Sequence, residues 1–161
     1  MSRRNSRRRA SGPLHARDTP RHSRPPIRCA ADVVALLPHL KEAEQEHCYV
    51  LGLDSRHRVL ITHCAAIGTV DRVQVTLRDV FREAVRHNCA AIVCTHNHPS
   101  GDPAPSGADH ELTHQLLQAA RLLGISLLDH VVIGRNGVYS YAEAGRLTTS
   151  GEQPYASSTI S

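Results

Sequence analysis

The sequence predicts an α/β fold in which helices cover a mixed β-sheet. Two observations carry this. Apolar periodicity alternates between helical and strand patterns in the order helix, strand, strand, helix, strand, helix, strand, strand. A short, almost wholly apolar run, Ala90 to Thr95, has the length and the turn-rich flanks of a buried strand. A chain of 161 residues has room for one such core plus tails.

Taken in order, Ala31 to Glu44 read as a helix, with Asp32 near its start and Pro38 as a kink or break. His47 to Leu53 and Arg58 to Ala66 read as strands joined by Asp54-Ser55-Arg56-His57 into a hairpin. Thr76 can cap a helix from Leu77 to His87, with Val80, Phe81 and Ala84 on one face and Arg78, Arg82 and Arg86 on another. The buried strand Ala90 to Thr95 follows. A Pro- and Gly-rich loop, His98 to Gly107, leads into a helix from about Ala108 to Leu123 that stops at Gly124. Leu127 to Gly134 and Gly137 to Tyr141 form a second hairpin across Arg135-Asn136-Gly137. The sequence contains no internal repeat.

Charge divides the chain into three parts. Residues 1–28 hold nine of the nineteen Lys and Arg beside a single acid, Asp18, so this segment carries +8 and the remainder −4. Rich in Arg, Ser and Pro and poor in apolar residues, it reads as a disordered basic arm. Two readings of the arm stand side by side: weak nucleic-acid binding through phosphate contacts, and a solvated tail that aids solubility. Residues 29–146 have the composition of a folded domain, and 147–161 turn polar and read as a flexible tail.

Composition also excludes several classes of function. Aromatics make up only 3% of the chain, which argues against single-strand binding by base stacking. The longest apolar run, Cys89 to Cys94, is far short of the ~20 residues that span a bilayer, so no membrane partner is expected. Cys29, Cys48, Cys64, Cys89 and Cys94 are odd in number and lack Cys-x-x-Cys spacing. They read as free thiols, which suits a cytoplasmic protein.

Chemistry concentrates in Thr95-His96-Asn97-His98-Pro99-Ser100-Gly101-Asp102-Pro103-Ala104-Pro105-Ser106-Gly107-Ala108-Asp109. Residues two apart on a strand point the same way, so His96 and His98 leave the strand end as a pair of nitrogen donors. The stiff loop then brings Asp109 to the first turn of the next helix. Two imidazoles and one carboxylate make three protein ligands, the number a catalytic zinc uses when its fourth position is left open. Such a site needs a base, and Glu46 is the best placed, because it immediately precedes the strand His47 to Leu53. Glu42 and Glu44 read as solvated helix residues. Ser106 reads both as an N-cap for the long helix and as a hydrogen-bond donor to an oxyanion.

The spacing His-x-His, seven residues, Ser, two residues, Asp, here His96, His98, Ser106 and Asp109, resembles the signature of the JAMM (MPN-plus) zinc metallopeptidases. The longer string His-Asn-His-Pro-Ser-Gly-Asp-Pro-Ala-Pro-Ser resembles the RadC branch, the RadC-like JAB domain proteins. The flanks agree, among them Ile67-Gly68-Thr69, Leu128-Asp129-His130 and Ser140-Tyr141-Ala142-Glu143-Ala144-Gly145, so the likeness covers about residues 29–146. It implies a three-layer α/β sandwich related to the cytidine deaminases. It also implies Zn2+ held by His96, His98 and Asp109, Glu46 as general base, Ser106 as oxyanion stabiliser, and a protein or peptide substrate cleaved at a peptide or isopeptide bond. Longer members of that branch carry a helix-hairpin-helix region where this sequence has the basic arm. Val75-Thr76-Leu77-Arg78-Asp79 also departs from the branch's usual Pro-Arg-Glu. The DNA-repair label of the family is an association, not a reaction.

Alternatives remain at this stage. A nucleic-acid-associated accessory protein with a structural or vestigial metal site is the reading from another class. His110-Glu111-Leu112-Thr113-His114 matches the His-Glu-x-x-His spacing of a different class of zinc protease, although no extended form of that motif follows. His130 reads as a hydrogen-bonding neighbour of the site, not a ligand.

Overall fold

A computed structural model of the chain describes residues 25–68 and 75–147. Thr69 and the rest of residues 69–74, residues 1–24 of the basic arm and residues 148–161 of the tail lie outside the described residues.

Helix α1 spans Ala30–Leu36, and Asp32 in its first turn accepts hydrogen bonds from the amides of Arg28 and Cys29 at 2.8 and 3.3 Å. The helix ends well before Glu44, where the sequence placed its end. Proline drives the residue before it out of the helical region, and Leu37 has φ −128° and ψ 52°. Beyond it lies only a single 3-10 turn, Pro38–Lys41. Strands β1 (His47–Leu53) and β2 (Val59–Ile67) form the expected hairpin. Helix α2 spans Leu77–Arg86, with the Thr76 hydroxyl accepting from the Asp79 amide. Strand β3 covers Ala91–Asn97, two residues further than the apolar run suggested, so His96 is itself a strand residue. Helix α3 runs from Gly107 to Leu123 and stops at the left-handed Gly124, φ 66°. Strands β4 (Ser126–Gly134) and β5 (Gly137–Ser140) complete the fold.

The five strands lie in the order β2-β1-β3-β4-β5. All neighbours are antiparallel except β3 and β4, which α3 joins as a crossover, so the sheet is mixed. Helices cover both faces and make three layers. On one face Ala30, Val33, Leu37 and Leu40 pack with Leu51, Leu53, Val93, Val131 and Ile133. On the other Val80, Phe81, Ala84, Leu116 and Ala120 pack with Cys48, Val50, Ile92 and Cys94.

The pleat of β3 sorts its residues between these layers. Ile92 and Cys94 face α2 and α3, and His96 continues that row; Ala91 and Val93 face α1, and Asn97 continues the other. On α3 the buried positions are Asp109, Thr113, Leu116 and Ala120, the 4-3-4 spacing of one helical stripe. Asp109 heads that stripe, so it projects toward the layer that His96 enters.

The folded unit reaches beyond both boundaries drawn from composition. Ile27, placed in the arm, is buried in the first core, and its amide donates to the His57 carbonyl at 2.9 Å. Leu147, placed in the tail, is buried against Val132, Tyr141 and Ala142. Each is a single apolar side chain at the edge of a polar stretch, too little for a composition window to register.

The loop after β3 is fixed by the second hairpin. The His98 amide donates to the Ile133 carbonyl at 2.9 Å, and the Asn136 amide donates to the Gly101 carbonyl at 3.2 Å. Gly134 lets the two approach, for a Cβ there would strike the Gly101 carbonyl and come within 2.7 Å of Pro103 N. Backbone cannot yield as a flexible side chain does. Gly134→Ala is therefore expected to lose about 1–3 kcal/mol of stability by overpacking, measurable by chemical denaturation.

Candidate metal centre

Four titratable side chains converge where β1, β3 and α3 meet. Nε2 of His96 lies 3.1 Å from Nε2 of His98 and 3.0 Å from Oδ1 of Asp109, and Nε2 of His98 lies 3.1 Å from Oδ2 of Asp109. Tetrahedral zinc bonds of ~2.0–2.2 Å would place ligand atoms roughly 3.3 Å apart. Three donors of the right type therefore already stand at nearly that separation. Glu46 stands back, with Oε1 3.9 Å from Nε2 of His96. Among the described residues these four side chains form the one group of three or more that could hold a metal ion.

Local structure accounts for each position. Nδ1 of His98 donates to the Asp102 carbonyl at 2.9 Å, which leaves Nε2 to face the centre. Asp109 is the third residue of α3 and takes part in a capping box: the Ser106 amide donates to Oδ2 at 2.7 Å, and the Asp109 amide donates to Ser106 Oγ at 3.2 Å. Ser106 is thus the N-cap that the sequence indicated. Its side chain is exposed, and its hydroxyl proton meets no acceptor among the described residues.

Asp109 is buried, which by itself would raise its pKa. Hydrogen bonds from His96 and His98 outweigh that effect and hold the carboxyl well below the usual carboxylate range. The hydrogen bond that His98 donates to Asp109 raises the pKa of His98, against the opposing effect of burial. Together with Glu46 these side chains could hold a metal ion.

Asn97, between the two histidines, had no role in the sequence reading. It is buried, and its Oδ1 accepts from the His47 amide at 2.8 Å while its Nδ2 donates to the Gln45 carbonyl at 3.0 Å. These bonds grip the chain on both sides of Glu46. The β1–β3 register does the rest, because Cys48 pairs with His96 and so brings the residues before it to the end of β3. Glu42 and Glu44 are exposed. An Asn inside a His-x-His step is the signal that could have found this clamp, since a buried amide requires partners.

A family model described as the RadC-like JAB domain matches residues 27–146. The chain belongs to this family. It is 45% identical over 121 residues to a UPF0758 protein of Chloroflexus aggregans, covering 74% of this chain and 53% of that one. It is 41% identical over 113 residues to a UPF0758 protein of Symbiobacterium thermophilum, covering 70% and 48%. A UPF0758 protein of Thermotoga maritima is 44% identical over 104 residues, covering 65% and 47%. The chain thus spans about half the length of the curated relatives it matches.

The rival helical motif does not converge in this RadC-like domain. His110 and His114 are exposed; Nδ1 of His110 lies 2.9 Å from the Tyr141 hydroxyl, and Nε2 of His114 lies 3.1 Å from Nε2 of Gln118. His130, in contrast, is wholly buried beside His96. No helix among the described residues is long and apolar enough to cross a membrane.

Elemental analysis is expected to find zinc in the wild type, to lose it with His96→Ala, and to keep it with His110→Ala and His114→Ala. Asn97→Ala should cost about 1–3 kcal/mol for each buried group it orphans and speed hydrogen exchange at the His47 amide, with the zinc retained.

Proposed function

We propose that this RadC-like domain is a zinc-dependent hydrolase that cleaves a peptide or isopeptide bond in a protein or peptide substrate. His96, His98 and Asp109 would hold the ion. The observation that carries this reading is the 3.0–3.1 Å convergence of their three donor atoms with Glu46 standing 3.9 Å off, a set with three ligands and a separate carboxylate. Bound there, zinc supplies Lewis acidity that acidifies a water molecule and polarises a carbonyl.

The chain's own residues supply the remainder. Glu46 takes a proton from the attacking water as its oxygen bonds to the carbonyl carbon, and later delivers that proton to the leaving nitrogen as the C–N bond breaks. Its carboxylate suits both tasks because the clamp by Asn97 fixes the backbone from which it projects. Ser106, with its hydroxyl proton uncommitted, donates to the oxygen that gains negative charge in the tetrahedral species. Among the described residues the one such cluster offers donors for a single ion, which suits one-metal hydrolysis better than two-metal phosphodiester chemistry. A vestigial or purely structural site would have no need of Glu46 and Ser106 at its margin.

Glu46→Gln separates the two readings. It is expected to keep zinc and the fold while lowering peptide hydrolysis by about 10²–10⁴-fold, the usual worth of a general base. Measured on peptide and isopeptide-linked substrates with the zinc-loaded full chain, an unchanged rate would remove the assignment of Glu46 as the base.

A further inference from the structure

A histidine can ligate a metal only through a nitrogen that carries no proton, and what its other nitrogen meets decides which one that is. For His98 the answer is direct, since a carbonyl can only accept. For His96 it is not. Its Nδ1 lies 3.0 Å from Nε2 of His130, and two imidazoles can share a proton in either direction.

The direction is set one residue further on. Thr113 Oγ1 lies 2.6 Å from the main-chain carbonyl oxygen of Asp109 and 2.6 Å from Nδ1 of His130. A hydroxyl owns one proton, and the carbonyl must receive it. Oγ1 can therefore only accept from His130, whose proton sits on Nδ1. His130 is wholly buried and neither of its nitrogens meets a carboxylate, so a second proton would bury an unpaired cation. Its Nε2 carries a lone pair and accepts from Nδ1–H of His96.

We infer that His130 and Thr113 are positioning residues that lock His96 in its Nδ1–H form, through a one-way chain from His96 to His130 to Thr113 to the Asp109 carbonyl. The chain begins at one side chain of the centre and ends on the backbone of another. It keeps a proton on Nδ1 of His96, so that Nε2, which faces the cluster and donates to Asp109 here, is the nitrogen that gives up its proton when an ion binds. Packing holds the middle link in place: the Tyr141 ring stacks on His130 at 5.1 Å and 9°. The chain is built from three elements, β3, β4 and α3, so it also sets the strand ligand relative to the helix ligand. This inference rests on reading His96 as a metal ligand.

The test uses the full chain. Histidine ¹⁵N NMR is expected to show neutral His130 protonated on Nδ1, the less common form in water, with a scalar coupling across the N–H···N bond between His96 Nδ1 and His130 Nε2. A proton on Nε2 of His130 overturns the chain and needs no variant to reveal it. Zinc titration then reads its effect. Thr113→Val, which keeps shape and loses the hydroxyl, should weaken zinc binding about tenfold, whereas Thr113→Ser should stay within about threefold of the wild type. Equal affinity in Thr113→Val and wild type would overturn the positioning role. A wild type that binds no zinc would instead sink the metal reading of the centre, while the position of the His130 proton still decides the chain.

Discussion

A carboxylate taken out of water must be compensated, and the site is organised around the way Asp109 meets that demand. One oxygen receives the Ser106 amide and Nε2 of His98; the other receives Nε2 of His96. The backbone of the same residue donates to Ser106 Oγ and accepts from Thr113. Helix start, loop exit and both histidines are thereby tied to one residue. The partial positive charge at the N-terminus of α3 favours a carboxylate at that position as well. An ion held by His96, His98 and Asp109 would take over the compensation that the two imidazoles now provide.

Around that carboxylate, a strand end divides the work by pleat. His96 enters the layer of α3, where Asp109 waits at the head of the buried stripe. Asn97 enters the opposite layer and fastens the segment that carries Glu46. His98, where the strand gives way to the loop, is held by the Asp102 carbonyl. Three consecutive residues thus govern the placement of both histidines of the cluster and of the Glu46 carboxylate. The loop beyond them keeps its path because its carbonyls and prolines rest on the β4–β5 hairpin at Gly134.

Such a centre is rigid on the ligand side and more open on the other. His96 and Asp109 are buried, His98 and Glu46 are partly exposed, and Ser106 is exposed. The residues that would meet a substrate therefore lie at the rim, and two of the three that would hold an ion lie within. Under the hydrolase proposed above, that division would leave the groups that must stay fixed among those that packing already holds.

Much of this was legible without coordinates. The order of elements, the Thr76 and Ser106 caps, the Gly124 stop and the His96, His98, Ser106, Asp109 spacing are local features, set within a few residues along the chain. Tertiary structure decided the rest. Only the β1–β3 register brings Glu46 to the histidines, and only the burial of Asn97 explains why Glu46 stays there. The helical His110 and His114 pair has a motif's spacing but turns its rings to Tyr141 and Gln118. His130 and Ile27 acquire their places from neighbours tens of residues away, and Leu147 packs on Val132, Tyr141 and Ala142. Spacing along a strand or helix determines which way side chains point; which elements they then meet depends on packing across the sheet, and no local pattern encodes that.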